Sequence, residues 1–414
     1  MIMDNSKIAM TTEQKWKLPF LLIVIGQSIS LIGSSAVQFA LIWWITSETN
    51  SALLLGLSGM VAYVPVVLFS PAAGVIADRY NRKVICICAD LFVGLSAAVF
   101  AFLLWLYEMP IWISLLVLLM RAIGNTFHSP SIRSIIPQMV PAEQLVRANS
   151  WNQMMQSGSY ILGPILGAAM YAAFPINAIL LTDLMGAIVA CCLLGVVKVP
   201  KLIAKNKVKQ SFKDDFKEGL SVYAADRKLL VIIIAETLCL IFYMPLTTFF
   251  PLMISSYFNA GAWYASAGSL SCALGMMASA ILLSSRLRVK NKLKTAYVGL
   301  GVMGIAVLFC GLLPSSLVAC WLFIFACAFI GGGGNIHTIP LTAYMHETIS
   351  REKMGRAFSL LSVTSSVTMP IGLAIASPVA EIIGISKWFF ISGIGICLIT
   401  SIALLFQKRI KWDF

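Results

Sequence analysis

The chain has 414 residues, 59% hydrophobic and only 11% charged, whereas soluble domains carry about 25% charged residues. Its apolar excess is laid out in repeated runs of roughly 20 residues, the length that crosses a hydrocarbon core of about 30 Å. That excludes a soluble domain and predicts an all-α integral membrane protein. The net charge of +13 would suit a nucleic-acid partner, but the cations cluster between the apolar runs, where they serve topology instead.

Hydropathy predicts twelve spans, at 19–45, 52–77, 84–106, 111–135, 148–173, 176–197, 229–255, 262–284, 295–313, 317–342, 357–383 and 387–407. The first run is too long for the apolar core of a signal peptide and no small-residue cleavage site follows it. Of the 30 lysines and arginines, 28 fall in the two tails and the even-numbered links; Lys387 is on the other side and Arg121 is inside span 4. By the positive-inside rule both termini are expected in the cytoplasm, in a multi-pass protein of the plasma membrane.

Between spans 2 and 3 lies Gly74-Val-Ile-Ala-Asp78-Arg79-Tyr-Asn-Arg82-Lys83, a charged tip between two apolar runs. A hairpin tip with one carboxylate and three cations reads as a topology signal and as a conformational latch. The long link 198–228 holds nine cations and four acids. Within it Phe212, Phe216, Leu220 and Tyr223 share one helical face, predicting a short amphipathic helix on the bilayer surface; a solvated linker is the alternative. The domains expected are a tail (1–18), a six-helix half (19–197), the linker (198–228), a second half (229–407) and a tail (408–414).

The halves carry a trace of duplication. Val140-Pro-Ala-Glu143-Gln-Leu-Val-Arg147-Ala148-Asn-Ser150 aligns without gaps with Ile349-Ser-Arg-Glu352-Lys-Met-Gly-Arg356-Ala357-Phe-Ser359, 209 residues later. Two parallel six-helix halves are a transporter architecture.

Ionisable groups at membrane depth are costly and therefore mark function. Asp90 lies about two turns into span 3, Arg121 is about 15 Å into span 4, Asp183 is in the outer half of span 6, and Glu236 is about 12 Å into span 7. A carboxylate in an apolar cavity can be neutral in one conformation and ionised in another, so Glu236, Asp183 and Asp90 are proton-coupling candidates. Arg121 keeps its proton and would fix a neighbour's ionisation. A static ion pair of Arg121 with Asp90 or another acid is the competing reading.

Span 5 contains Gly163-Pro164-Ile-Leu-Gly167, small residues that allow close helix approach around a proline bend. Gly331 to Gly334 suggest a pivot in span 10. The ten cysteines read as small buried hydrophobes, and His128, His337 and His346 make no metal spacing. No Gly-Lys pair occurs, so there is no phosphate-binding P-loop. No metal, cofactor, enzymatic constellation or nucleic-acid partner is expected.

Together these motifs resemble the major facilitator superfamily. Gly74…Asp78-Arg79…Arg82-Lys83 is similar to its signature between helices 2 and 3, and Arg121 with Gly124 to its helix-4 arginine motif, lacking the usual Gln-Gly pair. Gly163-Pro164-x-x-Gly167 resembles its helix-5 antiporter motif, with Ser159 for the leading glycine and Ala168 for the final one. Ala89-Asp90, Phe127-His128, Tyr243-Met-Pro245 and Met369-Pro370-Ile-Gly372 resemble the macrolide-efflux branch. The resemblance implies a proton-driven exporter of amphipathic drugs, here expected to act as a monomer on a hydrophobic small molecule. It also implies that Asp78 sits against the amino end of helix 11 in one conformer, where the helix dipole favours an anion. A same-fold carrier of a metabolite or lipid is the alternative.

Overall fold

The computed structural model describes residues 16–141, 144–199, 220–285 and 289–409; they are helical with short links, and none of them forms a strand. The helices are α1 (Lys17–Thr49), α2 (Ala52–Arg79), α3 (Arg82–Leu106), α4 (Ile113–Met139), α5 (Leu145–Ala173) and α6 (Ile176–Val196). They continue as α7 (Arg227–Leu252), α8 (Ala262–Ser285), α9 (Lys292–Leu312), α10 (Leu317–Thr348), α11 (Arg351–Ile383) and α12 (Ile385–Arg409). Eleven of them are long and apolar enough to cross a membrane. The remaining one, α5, has 29 residues, but Arg147, Asn149, Asn152, Gln153 and Gln156 dilute its first half.

Starts and stops follow local chemistry. Asn81, Asp226, Asn291 and Ser316 cap α3, α7, α9 and α10, each side chain accepting from a first-turn N–H, which satisfies donors the helix leaves orphaned. Serines and threonines within the spans return their hydroxyls to the preceding turn, as Ser28 does to Val24 O at 2.7 Å and Thr237 to Ile233 O at 2.8 Å. In an apolar solvent that satisfies these hydroxyls within their own helix. Pro251, near the end of α7, is followed by a π-helical turn, Met253–Tyr257.

The described residues pack as two units. One comprises those up to Trp44 and from Val64 to residue 199; the other comprises Ile45–Tyr63 and those from 220 onward. The sequence assigns 45–63 to the first half, yet this stretch packs with the second unit. There the Glu381 carboxylate accepts from Ser51 Oγ (3.1 Å) and from Leu53 N–H (2.9 Å) at the start of α2. The first unit has apolar cores around Ile23, Cys86, Ile135 and Leu194 and around Phe20, Ile136 and Ala148. The second is centred on Tyr223, Leu229, Ile232, Tyr297, Leu341 and Ala357. Phe212 and Phe216 of the expected linker helix lie outside the described residues. Tyr223 is in a short helical turn, 220–225, buried, with its hydroxyl donating to Ala357 O at 2.6 Å. Burial, with Glu236's charge adding, pushes that phenol up to about 12.

The 209-residue offset reaches well beyond the motif that suggested it. It carries each of α1–α6 onto α7–α12 to within a few residues at either end. It carries Asn50 (φ 48°) onto Asn259 (φ 52°), the two non-glycine residues with positive φ among those described. Asparagine tolerates the left-handed conformation because its short side chain can bond locally, and both positions follow the first helix of a half.

Candidate functional site

Among the described residues, ionisable side chains gather in clusters within the helices. Arg121 of α4 is 2% exposed and Asp183 of α6 is 5% exposed, and they form an ion pair through Arg121 Nη1 and Asp183 Oδ2. Helix α1 completes the arrangement: Arg121 Nη2 donates to Ser34 O and Oγ, both at 2.9 Å, and Nε donates to Gln38 Oε1 at 3.2 Å. A guanidinium with its donors distributed over a carboxylate, a carbonyl, a hydroxyl and an amide is a satisfied buried charge. Of the acids weighed as partners for Arg121, the geometry selects Asp183.

Asp90 of α3 belongs to a second cluster in the same unit. Its Oδ2 accepts from Gln27 Nε2 of α1 at 3.4 Å, and its Oδ1 lies 3.4 Å from His128 Nε2 of α4. In the second unit Glu236 of α7 faces His337 of α10, with Oε2 and Nε2 3.6 Å apart. His337 Nδ1 lies 3.1 Å from Ala296 O of α9. Neither Glu236 Oε2 nor His337 Nε2 has a hydrogen-bond partner among the described residues, although both atoms are closed to solvent.

At the α2–α3 hairpin, Arg82 and Lys83 bind the carboxyl ends of helices. Arg82 Nε donates to Ala77 O (2.7 Å) and Nη1 to Ser134 O (3.1 Å). Lys83 Nζ donates to Gly195 O (2.6 Å) and Val197 O (2.8 Å). Cations are favoured there because the last carbonyls are unpaired and carry the negative end of the helix dipole. Within the first unit the hairpin therefore ties the ends of α2, α4 and α6 together. Gly74 and Arg79 lie in the last turns of α2, with Arg79 exposed; Asp78 is helical, and its side chain is outside the described residues.

Gly163 and Gly167 of α5 run along α1, where a Cβ on Gly163 would lie 2.5 Å from Ser35 Cβ and one on Gly167 2.6 Å from Ala36 O. Pro164 sits between them, inside the helix. These glycines let two backbones approach closely, the packing role open to small residues in any membrane bundle.

His128 and His337 were passed over in the sequence because they make no metal spacing. The signal that finds them is the repeat, since the 209-residue offset carries His128 onto His337, Gly124 onto Gly333 and Gln27 onto Glu236.

Comparison with known proteins gives this arrangement its context. The profile of the Major Facilitator Superfamily matches residues 23–373. Macrolide efflux protein A of Streptococcus pyogenes is 34% identical over 399 residues, covering 96% of this chain and 98% of that protein. The protein of the same name from Enterococcus faecalis is 33% identical over 325 residues, covering 78% of this chain and all (100%) of that one. A crystal structure of a bacterial homologue of the iron transporter ferroportin in the inward-facing state superposes with a TM-score of 0.75 at 15% identity, covering 94% of this chain and 99% of that one. At that identity the likeness speaks for the fold alone. Profile, near-full-length relatives and helical architecture agree: the chain is a multi-pass membrane transporter of the major facilitator superfamily, and it stands with the macrolide efflux proteins.

Proposed function

We propose that the protein is a secondary active transporter of the plasma membrane that exports macrolide-like amphipathic compounds in exchange for protons by alternating access. The observation that carries this reading is the 34% identity to a macrolide efflux protein across 96% of the chain. Both termini are cytoplasmic, as the cation bias supports, and the working unit is the monomer.

Among the acids at membrane depth, Glu236, Asp90 and Asp183 are the coupling candidates. Asp183 is neutralised by Arg121, which supports a fixed ion pair there, whereas Glu236 faces the imidazole of His337. Gly74, Asp78, Arg79, Arg82 and Lys83 form the conformational latch. Arg82 and Lys83 are anchored on helix ends within the first unit, which supports a tip held rigidly enough to act as one. The Gly163-Pro164-Gly167 segment lets α5 lie against α1 in the manner of the antiporter motif.

The test is expression in a pump-deficient bacterium. Resistance to erythromycin should rise, and efflux of the labelled drug should collapse when an uncoupler dissipates the proton gradient while ATP is held up. Efflux that survives the uncoupler and stops on ATP depletion would sink the exchange reading.

A further inference from the structure

His337 is 4% exposed, one turn beyond Gly333 in α10. Its Nδ1 lies against the Ala296 carbonyl, and a carbonyl only accepts, so Nδ1 carries the hydrogen. That sets the role of the other nitrogen. Nε2 faces Glu236 Oε2 at 3.6 Å, and the described residues offer neither atom a hydrogen bond. With the imidazole neutral and the carboxylate ionised, two lone pairs meet in a site closed to water, without a donor between them. One added proton supplies the missing donor, whether it rests on nitrogen or on oxygen. The two groups therefore take up that proton as a pair and not as separate residues.

The first half contains the same three positions in altered form. Shifted by 209 residues, Gln27, Asp90 and His128 become Glu236, Gly299 and His337. The acid has moved from the third helix of one half to the first helix of the other. Where Asp90 stands in α3, α9 has glycine, and α10 fills the space: a Cβ at Gly299 would lie 2.6 Å from Gly333 O. Where Glu236 stands in α7, α1 has Gln27, whose amide donates to Asp90. The first-half carboxylate is thus supplied with a neutral donor on Oδ2, whereas Glu236 Oε2 has no hydrogen-bond partner among the described residues.

We infer that Glu236 and His337 form a one-proton site through which the exchanged proton passes, and that Gln27, Asp90 and His128 are its duplicated counterpart, with the acid supported by an amide. The transport role rests on the exchange reading above; the shared proton does not. Other titratable groups packed around α7 are the Tyr223 phenol and the Cys239 thiol, both of which feel the charge of Glu236. Tyr297 of α9, Tyr344 of α10 and Cys397 of α12 border the same core. Asp226, at the start of α7, accepts the Tyr344 hydroxyl, and Lys292 pairs with Glu347 toward the ends of α9 and α10. Arg356 precedes Ala357 in α11. Phenols and thiols ordinarily titrate above neutral pH.

The experiment is pH-difference infrared spectroscopy on the full chain in liposomes, which follows carboxyl and imidazole bands without needing a substrate. In the wild type both sets of bands should change at one shared pH. His337→Gln should displace the Glu236 carboxyl midpoint by at least one pH unit, and Glu236→Gln should displace the His337 ring midpoint equally. Independent titration, or a midpoint that ignores loss of the partner, overturns the shared site. In the same liposomes, erythromycin uptake driven by a pH gradient should fall at least tenfold in either variant. Coupled titration with uptake that ignores the gradient in the wild type removes the exchange reading and the transport role together, leaving only a proton site. Gradient-driven uptake with independent titration removes the site and leaves the exchange reading intact.

Discussion

The two units surround their buried charges differently. In the first, Arg121 is held by Asp183, Ser34 and Gln38, Asp90 receives an amide hydrogen from Gln27, and Arg82 and Lys83 sit on helix-end carbonyls. In the second, Glu236 and His337 face each other across 3.6 Å with their nearest atoms unsatisfied. The backbones correspond by a constant offset, so the difference lies in a few side chains placed on a shared frame. Satisfied buried networks rigidify, whereas a partly satisfied one is sensitive to a single proton. By this comparison the first unit surrounds Arg121 with partners and gives Asp90 an amide donor, although His128 Nε2 beside it has no hydrogen-bond partner among the described residues, whereas in the second unit both facing atoms of the acid–imidazole pair lack one.

The strongest challenge to that contrast is to remove the Asp183 charge. Asp183→Leu strands a buried guanidinium and should cost about 3–5 kcal/mol, seen as a large fall in the melting temperature of the purified protein. Arg121→Met together with Asp183→Leu should recover most of it, because an apolar pair needs no partner. If Asp183→Leu alone melts like the wild type, the first unit is not held by its charges. A smaller effect is expected from Gln27→Glu, which places a second acid beside Asp90. Two carboxylates so close must share a proton. The native state would then hold a proton that the unfolded chain releases, so the variant's stability should fall as pH rises, by about 1.4 kcal/mol for each pH unit through its titration. A variant whose melting temperature tracks the wild type between pH about 6 and about 8 would mean that the amide at Gln27 is not what distinguishes the halves.

The units also differ at their polar ends. Asp78 has Leu287 at its repeat position, and Glu381 has Ala172 at its own. Asp78→Asn should reach the membrane in normal amount yet lower uphill efflux about fivefold, the population change that about 1 kcal/mol of state-specific stabilisation produces. Normal efflux in this variant would leave the hairpin with its anchoring role alone. Glu381→Ala removes the carboxylate that accepts from Ser51 and Leu53 at the start of α2. Because these contacts are exposed, the expected loss is the smallest, about 0.5–1 kcal/mol, measurable as faster amide exchange in the first turn of α2. Unchanged exchange there would show that the carboxylate does not hold that end.

Much of this molecule is legible in its residues. Runs of about 20 apolar residues must become helices in a solvent that cannot satisfy an open backbone, and a charge within such a run stands out by its cost. Asp90, Arg121, Asp183 and Glu236 were visible for that reason, as was the offset that relates the halves. Their partners were not visible. Hydropathy is nearly the same for a helix face that meets lipid and one that meets another helix, so it does not say which way a helix is turned. Arg121 had several acids open to it until α4, α6 and α1 were packed, and Tyr223, placed by its spacing on a surface helix, turned inward to Ala357. His128 and His337 looked incidental because their neighbours are 38 and 101 residues away along the chain, in Asp90 and Glu236. The sequence alone determined that the chain spans a membrane in two related halves. Which buried charges are satisfied and which are left without a hydrogen-bond partner was decided only by tertiary packing, because satisfaction depends on distances of a few ångströms between helices that the chain brings together from afar.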